Sequence, residues 1–377
     1  MTAGDSQLFG KVMQSVEAAE SLPPWCYSSR EFLDKEIETV FRRGWHCVGR
    51  ADRLRDSGSY AAIDLAGVPL LLVRDDAGAL RAFANSCRHR GTRLLQGDGS
   101  CRRIVCPFHS WTYALDGRLI GAPEMEETLD FRKEDYGLVP LRLETRDGFL
   151  FLCHDPSAPS LDAWLGDFSE LHAPWSLGDM VTARRREIEV PCNWKLYLEV
   201  FNEYYHLRSV HPRSIAGLFD RPDPPEAVTG EYLTQFGTHE GTAALLDQHR
   251  DLALPTIATL QGRNRGGTRY TWLMPGFAFA VTTDALWMHE VTPLAPDRSK
   301  VAMTACFPRE AFDLPDFETR AAAYFERLDR AIEEDLAVLS EQQVGLSSPL
   351  ARPGRFSGLE PNVAAFGRWL AERVSDG

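Results

Sequence analysis

Cys87 and His89 form one short pair, C-x-H, and Cys106 and His109 form a second, C-x-x-H, with the sixteen residues Arg90 to Val105 between them. Two thiolates and two imidazoles make a four-ligand metal set. Two kinds of centre accept it: tetrahedral zinc, and a [2Fe–2S] cluster in which two histidines replace two cysteines on one iron. Zinc sites of this composition usually group like ligands, two cysteines in one pair and two histidines in the other. Here each pair mixes the types, so two adjacent loops would each supply one ligand to each iron, and this spacing fits the cluster. Gly91 and Pro107 are the punctuation that two tight ligand loops need.

A second group of ligand types follows about a hundred residues later. Trp194, Leu198, Phe201 and Tyr205 recur at helical spacing, which predicts a helix from Trp194 to Arg208. On it Glu199, Glu203 and His206 lie at i, i+4 and i+7. His211 converges with His206 only if that helix loosens or ends between them, and Pro212 stops it. Two histidines with one carboxylate and open positions describe the facial triad of non-haem Fe(II) oxygenases. The carboxylate has to come from elsewhere in the chain.

The flanking residues carry a resemblance. Cys87-Arg-His-Arg-Gly91 and Cys106-Pro-Phe-His-Ser-Trp-Thr-Tyr113, followed by Leu115-Asp-Gly-Arg118, resemble the Rieske domain of the ring-hydroxylating oxygenase family, with Ser110 where that family has a small Gly or Ala. Asn202-Glu-Tyr-Tyr-His206-x4-His211-Pro212 resembles the mononuclear-iron motif of the same family. Glu334-Asp335 through Leu346, with Ser348-Pro349, Gly354-Arg355 and Glu360, resembles the tail of members related to choline monooxygenase, in which the Asp after a Glu binds iron. On the residues alone, Glu333, Glu334 and Asp335 read as well as a solvated charge run.

The resemblance implies the oxygenase (α-type) component of a Rieske non-haem iron oxygenase. Its [2Fe–2S] cluster would be held by Cys87, His89, Cys106 and His109, and its Fe(II) by His206, His211 and Asp335. It further implies O2 as co-substrate, electrons from a separate reductase fed by NAD(P)H, with or without a ferredoxin, and a small substrate that receives one or two oxygen atoms. In such a family the working pair of metals forms across a subunit boundary, usually in a trimer. Glu203 is then placed to link His206 to His109 of the partner subunit; it also reads as a carboxylate that only orients His206. Glu203, three before His206, and the tail resemble the branch acting on quaternary ammonium compounds by hydroxylation or oxidative demethylation. Tyr204 departs from the Cys common there. An aromatic compound or aromatic acid is the alternative substrate. Trp272, Phe277, Phe279 and Trp287, on strands, could wall a pocket for either, although aromatic residues at strand spacing are more often plain core. A Rieske electron carrier without oxygen chemistry would leave His206, His211 and some 200 residues without a task.

Length and composition agree with a two-domain α+β chain. Its 377 residues exceed one ordinary domain. No long apolar run spans a membrane, the opening Met1–Gly10 is polar, and the predicted location is cytoplasmic. The net charge of −13 argues against nucleic acid and anionic membrane surfaces as partners. Cys26, Cys47, Cys101, Cys153, Cys192 and Cys306 read as reduced, mostly buried thiols. Residues 1–37 are expected to open with an amphipathic helix and to pack on the catalytic domain. Residues 38–160 are expected to form a small antiparallel β domain around the cluster, and 161–377 a helix-grip catalytic domain. The catalytic domain would pair an antiparallel sheet with a long helix from Pro315 to about Gln343. The stretch Asp220–Gly267 reads as loop-rich, and no nucleotide fingerprint follows a strand.

Overall fold

The computed structural model describes residues 9–215 and 222–375. Backbone contacts divide the chain into two compact units, one of residues 48–158 and one combining the N-terminal stretch to Cys47 with 159–377.

The smaller unit is antiparallel β. Its main sheet is built from β1 (His46–Arg50), β2 (Ser59–Leu65), β3 (Val68–Arg74), β4 (Leu80–Ala84), β5 (Asp98–Ser100), and, later in the chain, Pro140–Arg146 and Phe149–Cys153. Between them lies a small second sheet of β6 (Ile104–Val105), β7 (Thr112–Tyr113) and β8 (Leu119–Gly121), which were too short for alternation to reveal. Completing the main sheet, the later strands are β9 (Pro140–Arg146) and β10 (Phe149–Cys153). Cys87 and Cys106 sit in one apolar cluster with Leu71, Phe83, Trp111 and Tyr113, so the two ligand loops are anchored in the core of this unit.

The larger unit is organised by a six-stranded antiparallel sheet. Its strands are β11 (Met180–Val190), β12 (Tyr232–Thr238), β13 (Gly267–Leu273), β14 (Phe277–Val281), β15 (Leu286–Ala295) and β16 (Arg298–Pro308). The order β11-β16-β15-β14-β13-β12 is a meander with β11 added at its far edge. β12 lies inside the stretch that composition marks as loop. It is an edge strand paired only to β13, and its Gln235 and Gly237 weaken the strand signal. Of that stretch, Asp220 and Arg221 fall outside the described residues.

Five helices matter for the site or its support: α1 (Arg30–Glu36), α2 (Trp194–Phe201), α3 (Leu207–Val210), α4 (Phe317–Leu346) and α5 (Pro361–Ser375). α4 matches the expected long helix, burying Phe317, Ala321, Tyr324, Leu328 and Ile332. The expected helix Trp194–Arg208 is instead two helices with a break at residues 202–206, so Tyr205 points outward and is 60% exposed. At the N-terminus, Phe9–Glu17 forms successive turns in place of an amphipathic helix, the preceding residues lying outside those described.

The N-terminal stretch is tied to α2 by a buried polar network. Lys195 donates to Glu36 at 2.7 Å with both side chains fully buried, Trp194 Nε1 donates to the same carboxylate at 3.1 Å, and Tyr27 donates to Glu199 at 2.8 Å. Burial pushes the Glu36 carboxyl up, and Lys195 opposes that shift. None of the eight cysteines forms a disulfide; Cys47 and Cys101 are only half-buried.

Removing one partner of a buried pair strands the other charge, at a cost of about 3–5 kcal/mol. Lys195→Met should therefore lower the melting temperature on the order of 10 °C, and adding Glu36→Gln should recover part of the loss. A single variant as stable as the parent in calorimetry would contradict this role.

Candidate metal centres

In the smaller unit the two cysteines are 4% and 2% exposed, His89 is half-buried and His109 faces solvent. The rings of His89 and His109 lie 4.7 Å apart, and His89 stacks on Trp111 at 4.9 Å and 11°. Each loop is a backbone turn closed on its own cysteine: Gly91 N–H donates to the Cys87 carbonyl and Ser110 N–H to the Cys106 carbonyl. Gly91 and Ser110 take left-handed φ of 76° and 59°, so only a very small or αL-tolerant residue fits either turn. The Tyr113 hydroxyl lies 3.4 Å from Cys87 Sγ, and the buried His89 Nδ1 has no hydrogen-bond partner. Two core thiols and two clustered imidazoles, one with an orphaned buried nitrogen, fit a cluster held on its sulfur side by the protein and on its histidine side near solvent.

The second centre is built where α2 stops. Asn202 sends its side-chain amide back to the Leu198 carbonyl at 2.7 Å, and Glu203 Oε2 takes the N–H groups of both Tyr205 and His206. Side chains competing for these backbone groups end α2 and hold the turn that follows it. The break turns His206 and His211 toward α4. His211 Nε2 lies 3.0 Å and His206 Nε2 3.6 Å from Asp335 Oδ1, and the three residues form a group able to hold one metal ion. Each Nδ1 is engaged by a different carboxylate, Glu203 for His206 and Glu334 for His211 at 2.7 Å. That arrangement fixes both tautomers and leaves the Nε2 lone pairs free for a metal. Asp335 Oδ1 is buried without a hydrogen-bond partner, as a ligand oxygen would be in the absence of its ion. Glu333 is exposed. Glu199 is bonded to Tyr27 and takes no part in the group, its carboxyl pushed up to about 7 by burial.

A small pocket of ≈ 50 Å³ opens at this group. Its aromatic walls are Tyr197, Phe201, Tyr204, Tyr270 and Trp287. Of the four aromatics expected from the strands, only Trp287 is there. Strand alternation is the reason: Tyr270, Ala280 and Trp287 are opposite one another in register, whereas Phe279 pairs with Thr271 and Met288 and so points, with Phe277, to the other face. Trp272 shares the pocket face but stacks on Phe366 of α5 at 4.1 Å. Glu334, Tyr270 and Arg327 also belong to the site. Spacing offered no signal for any of them, beyond the adjacency of Glu334 to Asp335.

The family profile described as "Ring hydroxylating alpha subunit (catalytic domain)" matches residues 177–376, and that described as "Rieske [2Fe-2S] domain" matches residues 44–138. The chain belongs to the ring-hydroxylating oxygenase alpha-subunit family. The oxygenase is similar to the glycine betaine monooxygenase oxygenase subunit of Chromohalobacter salexigens, with 27% identity over 96% of this chain and 88% of that protein. It is also similar to the carnitine monooxygenase oxygenase subunit of Acinetobacter baumannii, with 34% identity over 52% and 54% of the two chains. Among solved structures, a quaternary ammonium Rieske monooxygenase associated with carnitine oxidation superposes with TM-score 0.82 at 25% identity, over 95% of this chain and 96% of that one. Naphthalene 1,2-dioxygenase from Rhodococcus sp. shares the fold, with TM-score 0.78 at 19% identity over 95% of each chain. The protein is therefore the iron-dependent oxygenase component of a multicomponent system. It carries a [2Fe–2S] cluster and a non-haem iron, with O2 and a small molecule as substrates and a separate reductase as electron source. Among the described residues no helix is long and apolar enough to cross a membrane.

Glu334 holds His211 and also accepts from Ser214 at 2.5 Å. Replacing such an orienting carboxylate typically weakens metal binding roughly 10- to 100-fold. Glu334→Ala is expected to lose iron to a chelator at correspondingly lower chelator concentration; retention equal to the parent would contradict the orienting role.

Proposed function

We propose that the oxygenase hydroxylates or oxidatively demethylates a small quaternary ammonium compound. The observation that carries this is the ring of tyrosine, phenylalanine and tryptophan side chains around the three-residue group. Aromatic faces attract a methylated ammonium, which has no N–H to donate and is easily desolvated. The similarity of nearly the whole chain to glycine betaine monooxygenase supports the same reading. Aromatic walls also accommodate an aromatic acid, and the shared fold of naphthalene dioxygenase keeps that second reading in the test.

On this proposal His206, His211 and Asp335 hold the mononuclear iron, and Cys87, His89, Cys106 and His109 hold the cluster. When bound, the two centres supply electron delivery and O2 activation. The chain's own residues do the rest. Asp335 and the two Nε2 atoms would hold the iron beside the pocket; Glu203 and Glu334 keep both imidazoles in the ligand tautomer; the aromatic walls exclude water and orient the substrate. Residues 38–160 form the cluster domain, and 161–377, joined by 1–37, the catalytic domain, a division supported by the contact boundaries near residues 47 and 158. We place the enzyme in the cytoplasm as a homotrimer, with Glu203 linking His206 to His109 of the partner subunit. A carboxylate has about four acceptor sites. Three of those on Glu203 are filled by His206 Nδ1 and two backbone N–H groups, which leaves one for that link.

O2 uptake by the cluster- and iron-loaded oxygenase, with a reductase and NADH, is expected to rise with glycine betaine or carnitine and to yield a product of altered mass. Stimulation by benzoate alone would move the assignment to the second reading. In single turnover, Glu203→Gln should keep its iron and slow oxidation of the prereduced cluster by orders of magnitude; parental cluster oxidation would remove the bridge.

A further inference from the structure

The pocket contains a cation that the metal group does not use. Arg327 lies on α4 eight residues before Asp335, so Arg327, Ala331 and Asp335 recur at i, i+4 and i+8 along the pocket, spread over about 12 Å of helix at 1.5 Å per residue. It is 4% exposed. An arginine this deep is ordinarily paired with a carboxylate. Among the described residues none lies within ion-pair distance of it. Its guanidinium sits over the Trp287 ring, 5.0 Å from the centroid, and hydrogen-bonds Tyr270, while its buried Nε has no partner.

A second orphaned donor stands beside it. The Tyr197 hydroxyl meets His289 Nδ1 at 2.9 Å, and His289 Nε2 is buried without a partner in the same pocket. Burial, with the Arg327 charge, pushes His289 down to about 3, so the ring is neutral. In the tautomer in which the Tyr197 hydroxyl donates to Nδ1, the ring proton is on Nε2. One region of the pocket thus presents an unpaired guanidinium and a neutral N–H donor, while the three metal-ligand candidates lie two helical turns further along α4.

We propose that Arg327 determines substrate specificity by binding a carboxylate, with His289 as a second donor, so that the substrate is a small carboxylate oxidised at its other end. The proposal rests on the pocket being the substrate site of the oxygenase; combined with the quaternary ammonium reading, it makes the substrate a zwitterion. A carboxylate would satisfy the idle Nε and replace the missing counter-charge through charge-assisted, two-pronged hydrogen bonds. A substrate with a hydroxyl in that place leaves the guanidinium unpaired. The other role open to Arg327 is to offset the negative charge of Asp335 and Glu334, which needs no substrate carboxylate.

The test is anaerobic calorimetric titration of the cluster- and iron-loaded enzyme with two matched pairs of probes, glycine betaine against choline and benzoate against benzyl alcohol. In at least one pair the carboxylate is expected to bind roughly 10- to 100-fold tighter than its alcohol. Arg327→Gln should erase that ratio with iron content unchanged, and Arg327→Lys should restore part of it. If only benzoate shows the ratio, the quaternary ammonium reading fails and Arg327 keeps its role. The proposal is overturned if neither carboxylate is preferred, if the ratio survives in Arg327→Gln, or if that variant loses iron while the ratio stays. Should Arg327→Gln fail to fold, the parental ratio and Arg327→Lys decide: no parental preference, or none of it kept by lysine, counts against the assignment.

Discussion

Two imidazoles, each bound at Nδ1 by its own carboxylate, are the constraint on which the catalytic unit depends. Glu203 holds His206 and Glu334 holds His211, and the opposite nitrogen of each ring is thereby turned to one oxygen of Asp335. An imidazole whose Nδ1 faces a carboxylate turns its Nε2 to a divalent ion, and such orienting partners limit the freedom that binding would otherwise have to remove. Five acidic or imidazole groups this close would be an awkward arrangement if they served only stability. The Asp335 oxygen facing the two rings, buried without a hydrogen-bond partner, is where a cation would complete it.

Holding that geometry requires two helices that are far apart in sequence. α4 contributes Asp335 and Glu334 from a thirty-residue rod packed along the sheet, so their positions are set by a rigid element. The histidines come from an irregular turn, which needs external support. α2 supplies it, because nearly every residue from Trp194 to Glu199 is buried and the helix is bonded to the N-terminal stretch through Glu36 and Tyr27. The tail is tied to the same stretch. Arg355 donates to the Ala19 carbonyl, and Ser21 N–H bonds the Gly354 carbonyl, giving the Gly354-Arg355 pair a structural task.

Much of this was legible in the residues. The mixed ligand pairs at Cys87–His89 and Cys106–His109 select a cluster because ligand chemistry is written in residue type and spacing. The long helix α4 followed from periodicity because a long, half-buried element repeats one pattern many times. What escaped was decided by tertiary context. The end of α2 at Phe201 depends on Asn202 and Glu203 competing for backbone groups, which no periodicity reports. The edge strand β12 is held by its neighbour more than by its own composition. Two of the four expected wall aromatics, Phe277 and Phe279, turned to the other face, because a strand residue's face is fixed by register, and register appears only when the sheet is assembled; Trp272 is taken up by stacking on Phe366. Arg327 gave no signal at all, since a lone arginine on a helix is ordinarily a solvated one.

Whether one chain carries two separate iron centres, the second completed by Asp335, is decided by iron and acid-labile sulfide counted on the purified protein and on Asp335→Ala. About three irons and two sulfides per chain are expected in the parent, and about two irons with both sulfides and an unchanged visible spectrum in the variant. A variant that keeps its third iron, or a parent whose metal is zinc without sulfide, would contradict it.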